Sequence, residues 1–268
     1  MKKRILTAII AVVLFFAIAP RANAVSLLVD NTAVTENVTL YNSTTYVPIR
    51  AVSNLLSPGS KVSWENGQAV VKTPSLTLTA RPGDCYMQAN GRMLYASEGI
   101  KLVSGTTLVP IRALAKAFGA AVSWNGSAQA AVVKSGSGTI AAGDYFYDSG
   151  SVYWLSRIIN AESSGETLKG KIAVGNVILN RVSSPSFPNT IYDVIFDTKW
   201  GTQFQPVANG TIYDTPSAES ALAAKLCLDG ASVVGASLFF FNPSTATSHW
   251  ISQSCTYVAT IGNHVFYA

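Results

Sequence analysis

The residue types that build most metal and nucleophilic sites are scarce in this chain. Its 268 residues include two histidines, His249 and His264, and three cysteines, Cys85, Cys227 and Cys255. Their spacing fits no zinc motif, and no serine or cysteine nucleophile motif lies beside either histidine. Metal-dependent or acyl-enzyme cleavage of peptides is therefore not expected, and no cofactor is implied. Charge is scarce as well: 12% of residues are charged against 49% hydrophobic. That balance argues against disorder, and the length allows two domains that each bury a core.

What is present begins with an export signature. Lys2, Lys3 and Arg4 precede a mostly apolar run from Ile5 to Ala19, and Ala22-Asn23-Ala24 supplies the small residues of a cleavage site. Residues 1–24 read as a secretory signal, with the run stopping at Pro20 and Arg21 before it is long enough for a confident membrane span. Removing it takes four of the 19 basic residues and none of the 14 acidic ones, so the formal charge falls from +5 to +1. A nucleic-acid partner is not expected at that balance. Three cysteines in an exported chain leave at least one unpaired; Cys227 and Cys255 are either bonded to each other or free.

From Val25 to about Lys134 the sequence repeats itself. Thr44-Thr45-Tyr46-Val47-Pro48-Ile49-Arg50 recurs as Thr106-Thr107-Leu108-Val109-Pro110-Ile111-Arg112, Val62-Ser63-Trp64 as Val122-Ser123-Trp124, and Ala69-Val70-Val71-Lys72 as Ala131-Val132-Val133-Lys134. Several motifs recurring in one order mark a duplication. Each copy reads as a β-rich segment, a short helix (Ala51 to Leu56, Ala113 to Phe118) and two strands meeting at a turn containing Asn66-Gly67 or Asn125-Gly126. Leu76 to Ala80 alternates as a half-buried strand should. Residues 25–135 resemble the paired repeats of the copper amine oxidase N-terminal-like domain, which implies a wall-binding or spacing module. Copper is not expected, because this half contains no histidine. Arg50 and Arg112 either serve a ligand or tie loop carbonyls beside each helix.

Residues 136–151, rich in Ser, Gly and Ala, read as a flexible linker in which Tyr145, Phe146 and Tyr147 dock on one of the domains. Beyond it, Asp148 to Ser151 offer helix caps, and Leu155, Ile158, Ile159 and Glu162 fall on one helical face. The stripe that should be buried therefore ends in a carboxylate, whose pKa should rise. Thr167 caps a second helix running to about Val182, apolar nearly all round except for Asn176, Asn180 and Arg181. Those asparagines either satisfy loop backbone or line a polar cleft. Ile191 to Phe196 reads as a short helix or turn, Trp200 to Pro206 as an aromatic, polar loop, and Thr215-Pro216 as a start signal leading to an Ala-rich helix from about Ser217 to Leu228 that ends at Asp229-Gly230. Strand character follows at Leu238 to Phe241, Thr256 to Ala259 and His264 to Tyr267. Helices first and strands last make residues 152–268 an α+β domain.

The elements Ala161-Glu162 with Gly165-Glu166, Gly170 through Ala173-Val174 to Asn180-Arg181, Gln203-Phe204, Phe241-Asn242-Pro243, Thr245-Ala246-Thr247-Ser248 with Trp250, and Ile261-Gly262 with His264 and Phe266-Tyr267 occur together and in order. In them the domain resembles the SleB/CwlJ family of cell-wall hydrolases. The resemblance implies a lysozyme-like or lytic-transglycosylase-like fold. It also implies cleavage of peptidoglycan glycan strands between N-acetylmuramic acid and N-acetylglucosamine by a lytic transglycosylase, with Glu162 as general acid and then base. Glycosidic cleavage needs a protonated acid at the leaving oxygen, and the apolar stripe equips Glu162 for that. Glu166 is a second catalytic carboxylate, a capping residue or a substrate contact. His264 is a cleft or core residue. Asn176, Asn180, Gln203, Phe204, Tyr213, Asn242 and Trp250 are further candidate sugar contacts, with core packing the alternative for Phe204 and Trp250. The expected partners are peptidoglycan glycan strands, and a wall polymer or surface protein at the repeats. A hydrolytic muramidase with two carboxylates and a non-catalytic glycan-binding protein are the competing readings.

Overall fold

The computed structural model describes residues 26–199, 201–246 and 250–268. The expected signal segment, Trp200 and the stretch Thr247 to His249 lie outside the described residues. Among the described residues no helix is long and apolar enough to cross a membrane.

The chain opens with β1 (Ser26–Val29) and β2 (Thr32–Val34). The first copy of the duplication is β3 (Thr39–Tyr41), β4 (Thr44–Pro48), α1 (Ile49–Leu56), β5 (Lys61–Glu65) and β6 (Gln68–Lys72). Three strands follow: β7 (Thr77–Ala80), β8 (Tyr86–Ala89) and β9 (Arg92–Tyr95). The second copy is β10 (Lys101–Val103), β11 (Thr106–Pro110), α2 (Ile111–Ala117), β12 (Ala121–Asn125) and β13 (Ala130–Lys134). They form three sheets, ordered β12-β13-β1-β2, β10-β11-β4-β3 and β5-β6-β7-β8-β9. Both helices begin directly after their prolines, which sit extended at the N-cap positions where a missing N–H costs nothing.

The copies meet through equivalent strands. In the antiparallel pair β4–β11, Val47 faces Val109, while Tyr46 faces Pro110 and Pro48 faces Leu108. Arg50 donates to the Val62 carbonyl at 2.7 Å and Arg112 to the Val122 carbonyl at 3.5 Å, so both arginines brace the strand behind their helix. Leu76, Leu78 and Ala80 are buried in alternation and join one core with Val47, Val109, Leu114 and Val133.

The segment after β13 is packed, which corrects the expectation of a flexible joint. Ile140 enters the N-terminal core, and the Gly143 N–H donates to the Asn90 carbonyl at 2.8 Å at the start of α3 (Gly143–Phe146). The Phe146 ring lies under the Arg92 guanidinium at 3.1 Å, whereas Tyr145 is 92% exposed and docks on nothing.

The C-terminal half is built on α4 (Ser149–Ser163), α5 (Leu168–Val182) and α8 (Ala218–Leu228), which pack against one another. Between α5 and α8 lie α6 (Ile191–Ile195), α7 (Gln205–Asn209) and a 3-10 turn at Thr211–Tyr213. Asp148 caps α4 by accepting from the Ser151 N–H, and Thr167 caps α5 by accepting from the Gly170 N–H. Helix α8 is capped by Ser217, whose hydroxyl accepts from the Ser220 N–H. Gly175 lets α5 approach its neighbours: a Cβ there would lie 2.7 Å from Cys227 Sγ and 2.9 Å from Ile159 Cδ1. A small sheet, β14 (Phe239–Phe241), β16 (His264–Tyr267) and β15 (Tyr257–Ile261) in that spatial order, closes the chain with the one-turn helix α9 (Trp250–Ser254) before it. Phe266 packs with Ala173 and Val177, seating the sheet on α5. The whole is a mixed α+β chain, helices before strands in its second half.

The two halves are joined at Asp229, the residue after α8. Its side chain, 1% exposed, accepts from Arg92 of β9, from Lys116 of α2 at 3.3 Å, from the Met93 N–H at 3.2 Å and from the Tyr147 hydroxyl. Tyr86, Met93 and Tyr95 pack into the C-terminal core beside this cluster. Cys85, Cys227 and Cys255 are all free, which decides against the Cys227–Cys255 bridge. Cys227 is instead buried between α8 and α5, its thiol pointing to the Ile172 carbonyl at 3.4 Å.

Candidate active site

The apolar stripe on α4 lies as the spacing predicts. Leu155, Ile158 and Ile159 have no exposed surface, and Glu162 follows them in the last turn of the helix, partly exposed. That turn carries the negative end of the helix dipole, an unfavourable place for a carboxylate. Burial raises the Glu162 pKa to about 7, with the Arg181 charge working in the opposite direction. Glu162 makes no ion pair or hydrogen bond among the described residues: Arg157 donates to the Tyr213 and Asp214 carbonyls, and Arg181 Nε to the Leu238 carbonyl at 2.8 Å. A carboxyl poised near neutrality and left unpaired can give up a proton and take it back.

Glu162 opens into a cleft of about 540 Å³ with Arg181, Gln203, Phe204, Phe240, Asn242 and His264 on its walls. Helix α5 contributes Arg181, β14 Phe240, and β16 His264. Glu162 is the single carboxylate among the lining residues. Arg181 is 6% exposed, and burial pulls its pKa down to about 10. Its guanidinium sits among the rings of Phe187, Phe204 and Phe239 at 4.9 to 5.6 Å, and its Nη1 has no partner among the described residues.

Glu166 stands behind the cleft wall. Its Oε1 accepts from the Asn263 N–H at 3.2 Å and the Asn263 side-chain amide at 2.9 Å, and lies 3.8 Å from His264 Nδ1. The carboxylate thereby fixes the β15–β16 turn. Gly262 in that turn has φ +59 and faces Glu166 so closely that any Cβ would overlap the carboxylate. Burial lowers the His264 pKa despite Glu166, so the imidazole is neutral at neutral pH, its ring meeting Phe240 edge-on at 5.4 Å. Lys171, 2% exposed, pins the α4–α5 turn by donating to the Ser164 and Glu166 carbonyls and pairing with Glu219 of α8 at 2.7 Å.

Of the candidates named from sequence, Glu162, Gln203, Phe204, Asn242 and His264 meet in the cleft. Phe204, 3% exposed, belongs to the core as much as to the wall. The others do not line it. Asn176 is a correction: its amide donates to the Ala231 carbonyl at 2.7 Å and accepts from the Val233 N–H at 2.8 Å, leaving nothing for a sugar. Asn180 is another, its amide spent on the Gly235 and Ser237 carbonyls at 2.8 and 2.9 Å. Tyr213 is 60% exposed in an aromatic group with Trp154, away from the cleft lining. Trp250, half exposed, packs its edge on Phe239, and Glu166 is consumed by Asn263. Sequence reasoning marked Arg181 only as an exception in an apolar helix, and missed Phe240 and Lys171. The apolar stretch from Ile172 to Val182, in which Arg181 is the one cation, was the available signal for it.

A carboxyl-bearing cleft between a helical core and a terminal sheet, behind a duplicated β-rich domain, defines the class of protein. Comparison with known proteins particularises both halves. Residues 165–267 match the Cell Wall Hydrolase family model, and residues 28–133 match that of the Copper amine oxidase N-terminal domain. The chain carries both domains. Glu162 lies three residues before the first of these matches.

Over 120 residues the chain is 40% identical to the spore cortex-lytic enzyme of Bacillus cereus, covering 45% of each chain. It is 38% identical to that of Halalkalibacterium halodurans, covering 45% of this chain and 35% of that one. The chain thus spans less than half the length of these curated relatives. The solved catalytic domain of the germination-specific lytic transglycosylase SleB from Bacillus anthracis is 39% identical, with a TM-score of 0.42 over 46% of this chain and 97% of that chain. The Bacillus cereus SleB catalytic domain is likewise 39% identical, at a TM-score of 0.42 over 46% and 92%.

Proposed function

We propose that the chain is an exported enzyme that cleaves peptidoglycan glycan strands between N-acetylmuramic acid and N-acetylglucosamine, acting as a lytic transglycosylase with Glu162 as acid and then base. The observation that carries the reading is Glu162 itself: unpaired among the described residues, partly buried, its pKa raised to about 7, and alone among carboxylates on the cleft wall. The relatives' description as cortex-lytic enzymes supports the substrate class.

The protonated Glu162 gives its proton to the glycosidic oxygen as the bond to the muramic C1 breaks, and N-acetylglucosamine leaves with a free hydroxyl. Positive charge develops on the muramic ring beside the carboxylate just formed. The same carboxylate then takes the proton of the muramic O6 hydroxyl as that oxygen closes on C1, giving a 1,6-anhydro end and restoring the acid. No water is consumed, and one carboxylate suffices. Arg181 steadies Glu162 in its ionised form between the two transfers. A two-carboxylate hydrolase is less well supported, because Glu166 is held by Asn263 behind the wall.

Mass spectrometry of the fragments released from purified wall tests this. Anhydromuramic ends are expected, and they should vanish with Glu162→Gln. Reducing muramic ends would replace the transglycosylase reading with a muramidase, and a fully active Glu162→Gln would remove the acid assignment. Running the assay on spore cortex and on vegetative wall identifies the target.

A further inference from the structure

A second groove lies in the duplicated domain, where neither the cleft nor the helical core reaches. It measures about 940 Å³. Strands β2, β5 and β10, each the edge of a different sheet, all contribute to its rim together with the first turns of α1. Sheet edges carry backbone N–H and C=O groups that no neighbouring strand satisfies. Trp64 of β5 stands on this rim with 52% of its surface exposed. Thr32, Asn37, Asn54 and Ser63 add neutral hydrogen-bonding groups, and the charged lining is one arginine, Arg50, and one glutamate, Glu36.

We propose that this groove binds an uncharged N-acetylated glycan, the backbone of the same polymer that the C-terminal domain is proposed to cut; the choice of polymer rests on that reading. An exposed indole offers a flat apolar face to a pyranose ring, and open strand edges offer amides to acetamido groups. The balanced charge disfavours polyanionic wall polymers, which would meet Glu36 and a single guanidinium already bonded to the Val62 carbonyl. Strand β5 lies at the opposite edge of its sheet from β9, four strand spacings or about 19 Å away, and β9 packs on α8. Groove and cleft are thus two separate holds on one polymer, and a bound strand is retained by the second when the first lets go.

The test is isothermal titration of the full-length Glu162→Gln protein with chitohexaose, a neutral N-acetylglucosamine hexamer. Two sites are expected, of which Trp64→Ala weakens one at least tenfold. Trp64→Phe should retain it, which separates the loss of a platform from a folding defect. Trp124→Ala, changing the equivalent exposed residue outside the groove, should bind like the parent. Unchanged binding by Trp64→Ala, or Trp64-dependent binding of free stem peptide in place of the sugar, overturns the proposal. Cleavage is read separately: with Glu162 intact, Trp64→Ala should bind insoluble wall less and release fragments from it more slowly. Trp64-dependent sugar binding in a protein that cuts nothing would sink the catalytic reading and leave this one standing.

Discussion

Arg181 lines the same cleft as Glu162 and lowers its pKa, yet the two form no ion pair among the described residues. The guanidinium is held back by the Leu238 carbonyl and three phenyl rings. A direct pair would pull the carboxyl down into the ordinary acidic range and end its use as an acid near neutrality. Distance keeps the cation available to the carboxylate without trapping it.

The first prediction concerns Glu162 and pH. Its folded pKa of about 7 exceeds the reference value of 4.5, so between those values the folded chain holds more protons than the unfolded one. Stability from this group is therefore present at low pH and lost as pH rises through that window. Glu162→Gln should abolish cleavage and gain up to about 3 kcal/mol at pH 8, the gain disappearing near pH 4. Thermal melts of both proteins across pH check the stability, and kcat/KM should show a descending limb near pH 7.

A second prediction separates Glu166 from Glu162. Glu166→Gln keeps an acceptor for Asn263 but removes the negative charge facing His264 Nδ1. The His264 pKa, already lowered by burial, should fall further, as an NMR titration of the ring would show. Turnover should drop about tenfold or less while anhydromuramic ends persist. Complete loss of turnover would instead mean that Glu166 reacts.

Asp229 carries the third. Replacing it with Ala leaves the Arg92 guanidinium, 7% exposed, without its counterion, a change that costs about 3–5 kcal/mol when a buried pair is broken. Calorimetry should show that loss, and limited proteolysis should begin to cut within residues 136–148, where the native packing resists it.

The fourth follows from the free cysteines. Reductant should leave the melting temperature unchanged, and Cys255→Ser should be nearly neutral. Cys227→Ser should destabilise, because it places a hydroxyl in a buried site shaped around sulfur at Gly175.

Much of this was legible in the residues. Asp148 and Thr167 announced their helices because capping is a local interaction, and the repeat announced itself by self-similarity. Leu155, Ile158, Ile159 and Glu162 fell on one face because the helical period is fixed. Asn176 and Asn180 were legible as buried amides but not as loop anchors: their partners, Ala231 to Ser237, lie more than 50 residues away. The linker misled for the same reason. Its composition reads as flexible, while its order comes from Asn90 and Asp229 in distant parts of the chain.

The pairing of Val47 with Val109 has a consequence for how such a domain arises. Each copy offers its twin the same strand in the same register, so the join is self-complementary. One copy made alone already carries the surface needed to recognise another of its kind. Fusing two in tandem turns a concentration-dependent encounter into a permanent one, and frees each copy to diverge away from the seam.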